Sequence, residues 1–295
     1  MLRGFAALMA ALFLFHGAAA GEEVKLKHGG LTLNAKLEMA DGKSMADGIV
    51  LITHGTLAHN GMELIVAQQE LLKEREISSL AINLSLGLDD RHGTYDCAVP
   101  HKHRHGDAVT EIAAWVAWLK GRGATSIAVM GHSRGGAQTA LYAAREPDPA
   151  VEKVILLAPA TSDPAKTAKS YEKRYGVSLA LLLEQVGDMV AGGGGEMLEQ
   201  TDFLYCADAR VSASSFMSYY LADPNRDTPS LVERVKLPML GIVGTADEVV
   251  ADALPRLKEK AGDRLTVVEV EDAGHFFRDL YGEDVADAVQ EFLEQ

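Results

Sequence analysis

The chain has 295 residues, of which 47% are hydrophobic and 24% charged, values that exclude a collagen-like, low-complexity or disordered protein. Lys and Arg total 28 against 42 Asp and Glu, a formal charge of −14, and so acidic a chain repels phosphate backbones and is not expected to partner nucleic acid. Two cysteines are too few for a disulfide scaffold, and the length suffices to bury a core without one.

The first residues read as a signal peptide over 1–20. Arg3 supplies a basic start, residues 5–15 an apolar stretch too short for a comfortable membrane span, and Ala18-Ala19-Ala20 a small-residue cleavage site. Processing after Ala20 predicts a periplasmic or secreted protein with no membrane span in its mature form.

From there apolar runs alternate with helical patterns. Val24–Leu37 contains two alternating stretches broken by Gly29-Gly30, a β-hairpin signal. Short continuous apolar runs at Gly48–Thr53, Ser79–Leu84, Ser126–Met130 and Val154–Ala158 have the character of strands buried on both faces. Between them lie helical stretches at Met62–Glu76, Asp107–Lys120 and Ala137–Arg145. In the second of these, Ile112, Trp115, Val116 and Leu119 share one face. From about Thr161 to Lys236 the pattern is helical with no convincing strand, and includes the glycine run Gly192–Gly195. The alternation resumes with a strand at Pro238–Val243, a helix near Asp252–Lys260, a strand at Leu265–Val270 and a last helix with Val285, Ala288, Val289, Phe292 and Leu293 on one face. Strands separated by helices predict an α/β protein with a mostly parallel sheet flanked by helices. The core is expected over 21–160 and 237–295, with 161–236 as an inserted helical lid.

The strongest local signal is Gly131-His132-Ser133-Arg134-Gly135, set between an apolar run and a small-residue helix. A G-x-S-x-G in that setting is a nucleophile elbow: a tight turn in which glycines avoid collision and the serine hydroxyl stands above the sheet edge. A serine hydroxyl needs a base, and the base needs an orienting acid. Asp247, in Gly244-Thr245-Ala246-Asp247, and His275, in Asp272-Ala273-Gly274-His275, each follow the end of a predicted strand, in the chain order serine, acid, histidine. The alternatives are a helix N-cap before Val249 for Asp247 and a surface-loop histidine for His275, with Glu248 and Asp272 as weaker candidates for the acid's place.

These segments, with the early turn Thr53-His54-Gly55-Thr56, resemble the α/β-hydrolase fold superfamily over nearly all of the chain after residue 20. The resemblance implies a mostly parallel eight-stranded sheet, a lid after the sixth strand, a Ser133–His275–Asp247 triad and no cofactor or metal. It also implies an oxyanion hole made by the backbone N–H groups of Thr56 and Arg134. The expected activity is serine hydrolysis of a carboxylic ester or thioester through an acyl-enzyme on a small-molecule acyl substrate. A peptidase or amidase, an acyltransferase and a non-catalytic binding protein are the alternatives.

Asp89–Asp107 holds His92, His101, His103 and His105, with Asp96 and Cys97. Alternating histidines share a face only in an extended segment, and the spacing matches no standard zinc pattern, which leaves packing, substrate contact and metal binding open. In an oxidising compartment Cys97 and Cys206 would join and fasten the lid to the core; otherwise both are buried thiols. Phe216, Tyr219 and Tyr220 fit either the lid's own core or an acyl pocket.

Overall fold

The computed structural model describes residues 21–145, 147–193 and 195–295. The proposed signal peptide lies outside them, as does Gly194 of the glycine run. The chain opens with β1 (Glu22–His28) and β2 (Leu31–Glu38), then β3 (Ile49–Thr53), α1 (Glu63–Glu74), β4 (Ser78–Asn83) and α2 (Asp107–Lys120). It continues through β5 (Ile127–His132), α3 (Arg134–Ala144) and β6 (Val151–Leu157). After an excursion described below, β9 (Met239–Gly244), α8 (Ala253–Lys258), β10 (Leu265–Val270) and α9 (Tyr281–Glu294) complete the sheet and its cover.

The eight strands lie in the order β1-β2-β4-β3-β5-β6-β9-β10. The β1–β2 hairpin and its junction with β4 are antiparallel, and every other pairing is parallel. Every residue of β3, β4, β5 and β9 is buried, which is why these strands read as unbroken apolar runs rather than alternating ones. In α2 the predicted face packs inward, with Ile112, Trp115 and Leu119 fully buried. Parallel strands all end at one edge, so the loops after β3, β5, β9 and β10 collect there.

Between β6 and β9 the chain forms α4 (Pro164–Tyr175), α5 (Leu179–Ala191), β7 (Met197–Phe203), β8 (Cys206–Ser212), α6 (Ala213–Tyr220) and α7 (Thr228–Val232). The expectation of a purely helical insertion is therefore corrected: β7 and β8 pair as an antiparallel hairpin. The hairpin carries no apolar run because much of it faces solvent, and its register shifts twice. Its pattern matches neither a buried strand nor a regularly alternating one. Phe216 and Tyr219 are buried and pack with Phe203 inside this insertion, its ring lying 6.2 and 5.3 Å from theirs.

The Cys97–Cys206 disulfide is formed and ties the loop before α2 to the first residue of β8. Beside it, His101 donates its backbone N–H to Arg210 and accepts one from Ser212, so covalent and main-chain links join the same two segments. The bridge spans a sequence separation of 109 residues, and closing a loop of about 100 residues restricts the unfolded chain by roughly 4–5 kcal/mol in the chain-entropy account. The double variant Cys97→Ser/Cys206→Ser is expected to lose about 3 kcal/mol of stability, seen as a lower urea midpoint. An unchanged midpoint would contradict this.

Candidate active site

β5 ends on His132, α3 begins at Arg134, and Ser133 sits between them with φ 55° and ψ −122°, a left-handed φ for a residue with a side chain. The two flanking glycines are sterically required. A Cβ on Gly131 would lie 2.3 Å from the Gly135 carbonyl oxygen, and one on Gly135 would lie 2.3 Å from the His54 carbonyl oxygen. Both obstacles are backbone and cannot rotate away. Gly135→Ala is accordingly expected to cost roughly 3 kcal/mol, measured by urea unfolding, because β3 and α3 must separate to admit the methyl group. A cost below about 1 kcal/mol would mean the turn relaxes freely.

The histidine loop after β10 brings His275 to this serine across 142 residues of sequence, with Nε2 3.0 Å from Ser133 Oγ. Its Nδ1 lies 2.8 Å from Asp247 Oδ2. Asp247 is 6% exposed, and its other carboxylate oxygen accepts the backbone N–H groups of Val249 and Val250. Asp247 thus partners the histidine through Oδ2 and closes a turn through Oδ1; the alternative of a helix N-cap is corrected, because the next helix, α8, starts only at Ala253. Burial works to raise its pKa, but the His275 hydrogen bond and the two N–H donors outweigh it, and the carboxyl stays below its ordinary value. An ionised Asp247 only accepts, so His275 Nδ1 carries the proton and Nε2 faces the serine as an acceptor. Glu248 and Asp272 are exposed, and the His275 ring bonds to neither. A Cβ on Gly244 would lie 2.1 Å from the Ala273 carbonyl oxygen, so the end of β9 and the histidine loop meet only because that position is glycine.

The turn after β3 lies on the other side of Ser133. A Cβ on Gly55 would be 3.3 Å from the serine Cβ, and the Arg134 guanidinium donates from Nε to Thr56 Oγ1 at 2.9 Å. That bond holds side by side the two residues whose amides the family resemblance implies as oxyanion donors.

Two cavities open beside the serine. One, of about 440 Å³, is largely apolar and runs from Ser133 and His275 past Leu57, Met62, Ile65 and Phe276. The other, of about 530 Å³, has a mixed lining in which Arg134, Lys166, Arg174 and Asp252 stand among aromatic and aliphatic side chains; it approaches the serine through Arg134 and meets the first cavity at Thr56, Tyr205 and Val249. Tyr205, at the tip of the β7–β8 hairpin, was invisible to sequence reasoning because the hairpin was. Tyr220 lines the second cavity, whereas Phe216 and Tyr219 line neither.

The histidine-rich segment divides. His92 is exposed and bonded to Glu23, with Asp90 beside them. Lys25 lies 3.0 Å from Glu23 and 2.6 Å from Asp90, so this acidic group already holds a cation of the chain. His101, His103 and His105 are buried. His101 Nδ1 is 3.1 Å from His103 Nε2, and His103 Nδ1 is 2.8 Å from the Tyr219 hydroxyl, a polar thread from the loop before α2 to α6. Burial pushes His103 down to about 3 and His101 down to about 4, so both are neutral.

The sequence profile of the alpha/beta hydrolase family matches residues 49–288. The chain belongs to the alpha/beta hydrolase family. A search of curated protein sequences found no match. Among solved structures, this hydrolase-family chain is similar to Est1E from Butyrivibrio proteoclasticus, at 20% identity and a TM-score of 0.64, over 94% of this chain and 100% of that one. A second structure of that protein is described as having ferulic acid bound, at 22% identity and a TM-score of 0.65, over 92% of this chain and 98% of that one. The monoacylglycerol lipase of Paleococcus ferrophilus aligns at 22% identity and a TM-score of 0.58, over 88% of this chain and 98% of that one. At these identities the likeness establishes the fold. Among the described residues no helix is long and apolar enough to cross a membrane.

Proposed function

We propose that the protein is a serine hydrolase that cleaves carboxylic esters, with thioesters as the close chemical variant. The observation that carries this reading is the continuous line from Asp247 Oδ2 through both nitrogens of His275 to Ser133 Oγ, at 2.8 and 3.0 Å, beside two cavities. His275 takes the serine proton as Oγ attacks the ester carbonyl, and Asp247 holds the imidazole in the required tautomer and stabilises its charge. The backbone N–H groups of Thr56 and Arg134 stabilise the tetrahedral oxyanion. His275 then gives the proton to the departing alkoxide, and water, activated by the same imidazole, hydrolyses the acyl-enzyme.

The apolar cavity suits one hydrophobic half of the substrate, a short to medium alkyl or aromatic group, and the second cavity, with its mixed lining, suits the other half. The neighbour described as a monoacylglycerol lipase agrees with ester chemistry. The disulfide fits export to an oxidising compartment, the periplasm or the exterior.

The test is a fluorophosphonate probe followed by peptide mapping, with a panel of p-nitrophenyl esters of rising chain length and aminoacyl anilides alongside. Labelling at Ser133 and turnover of butyrate to octanoate esters above palmitate are expected. No labelling would end the reading, and turnover of anilides alone would replace it with amide hydrolysis.

A further inference from the structure

Among the buried cations that the mechanism does not use, one lies against the turn beside Ser133. Arg91, from the histidine-rich loop, is 6% exposed, and carbonyl oxygens rather than carboxylates hold it. Its Nε donates to Leu84 O and its Nη1 to Gly93 O, while Nη2 faces Ala58 O, Asn83 Oδ1 and His54 Nε2. Burying a guanidinium without a carboxylate in contact is costly, and such a group persists where it organises its surroundings. Ala58 and His54 both belong to the turn beside Ser133.

The neighbours of His54 settle its tautomer. Nε2 lies 3.1 Å from the Leu84 backbone nitrogen and 3.1 Å from Arg91 Nη2, and both of those groups can only donate. Nε2 is therefore unprotonated, the proton sits on Nδ1, and Nδ1–H donates to the Gly55 carbonyl oxygen at 2.9 Å. That carbonyl also accepts the Ala58 N–H at 3.3 Å, closing the turn. The Gly55 carbonyl and the Thr56 N–H are opposite ends of one planar peptide unit, so anchoring the first orients the second. A donor on the carbonyl also polarises the unit and strengthens its N–H.

We propose that Arg91 and His54 form a positioning relay that holds the Gly55–Thr56 peptide so that its N–H points at the oxyanion. The proposal rests on the serine-hydrolase reading above. Neither residue touches the substrate's reacting atoms; both act through the turn. Burial drives His54 down to about 3, so its single Nδ1 proton is retained throughout the working pH range.

Two substitutions separate orientation from packing. In His54→Asn the side-chain amide nitrogen falls near the position of Nδ1 and can still donate to Gly55. In His54→Gln the amide reaches the position of Nε2, satisfying Leu84 and Arg91 but leaving the Gly55 carbonyl without its side-chain donor. On a p-nitrophenyl butyrate substrate, His54→Gln is expected to lower kcat by about 10–100-fold, with KM within about threefold and weakening of an alkyl boronic acid inhibitor by a similar factor. His54→Asn is expected to stay within about fivefold of wild type. Arg91→Gln should lower kcat in the same way and combine with His54→Gln less than additively. Equal losses in the Asn and Gln variants, a change confined to KM, or full additivity would overturn the relay.

A measurement on the unaltered protein covers the case of a variant that does not fold. ¹⁵N spectra of the ring, assigned by the signal lost in His54→Asn or by through-bond connectivity, should show a protonated Nδ1 and a bare Nε2 unchanged between pH 6 and 8. A protonated Nε2 overturns the proposal. If the wild type neither labels at Ser133 nor turns over esters, the hydrolase reading falls and the relay with it. An active wild type with an undiminished His54→Gln removes the relay alone.

Discussion

Ser133→Ala is expected to abolish fluorophosphonate labelling and to lower kcat on p-nitrophenyl esters by about 10⁴–10⁶-fold. The substitution removes one oxygen and little else. Alanine can occupy the same backbone conformation at φ 55°, with only the strain serine already bears, and the glycines that permit the turn are untouched. Folding stability should therefore stay within about 1 kcal/mol of wild type, so that the lost rate reports chemistry rather than unfolding. Asp247→Asn supplies the second arm. An Asn carbonyl can still accept the Val249 and Val250 N–H groups, which keeps the turn in place. Its amide would face His275 Nδ1 as a donor, forcing the ring proton onto Nε2, where it meets the serine hydroxyl instead of accepting from it. A loss on the order of 10⁴-fold with an intact fold is the expected result. Retained activity in Ser133→Ala would show that another group is the nucleophile.

The second large effect is acid sensitivity of the fold itself. Burial holds His54, His103 and His132 down to about 3, and it lowers His101 and His105 in the same direction. Each is neutral in the native state, whereas in the unfolded chain each takes a proton near pH 6.5. Below that pH the unfolded state binds more protons, so stability is complete above about 6.5 and declines as pH falls toward about 3. At pH 5 each of the first three contributes a loss of about 2 kcal/mol, together on the order of 6 kcal/mol against a typical total of about 5–15 kcal/mol. The carboxylates with lowered pKa, such as Asp247 and Asp227, act in a different window, because their contribution fades only as pH falls below about 4. A urea midpoint that drops steeply between pH 7 and pH 5, with cooperative unfolding before pH 4, is expected. A flat profile to pH 5 would mean that these imidazoles accept protons without leaving the core.

Much of the site was legible because its signals are local. A buried parallel strand is a short apolar run, as in β3, β4 and β9. A turn that must bring strand and helix backbones into contact requires glycine at 131 and 135, and no other residue type could substitute. Ser133, Asp247 and His275 each sit where a strand ends, and strand ends can be counted along the chain. The β7–β8 hairpin escaped the same reasoning because its residues are half solvated and irregularly paired, so neither burial nor alternation marks it.

The amino-acid order by itself determined the alternating architecture and the residue types at its strand ends, since those depend on sterics and periodicity within a few residues. Only the tertiary structure decided that Asp247 rather than Glu248 or Asp272 faces His275, that Cys97 meets Cys206, and that three histidines of one loop are sealed into the interior. It alone joined Arg91 and His54 to the turn beside the serine. Those outcomes depend on which segments share a desolvated space, and the energies that select them, burial and hydrogen bonding between residues from tens to more than a hundred positions apart, leave no periodic trace along the chain.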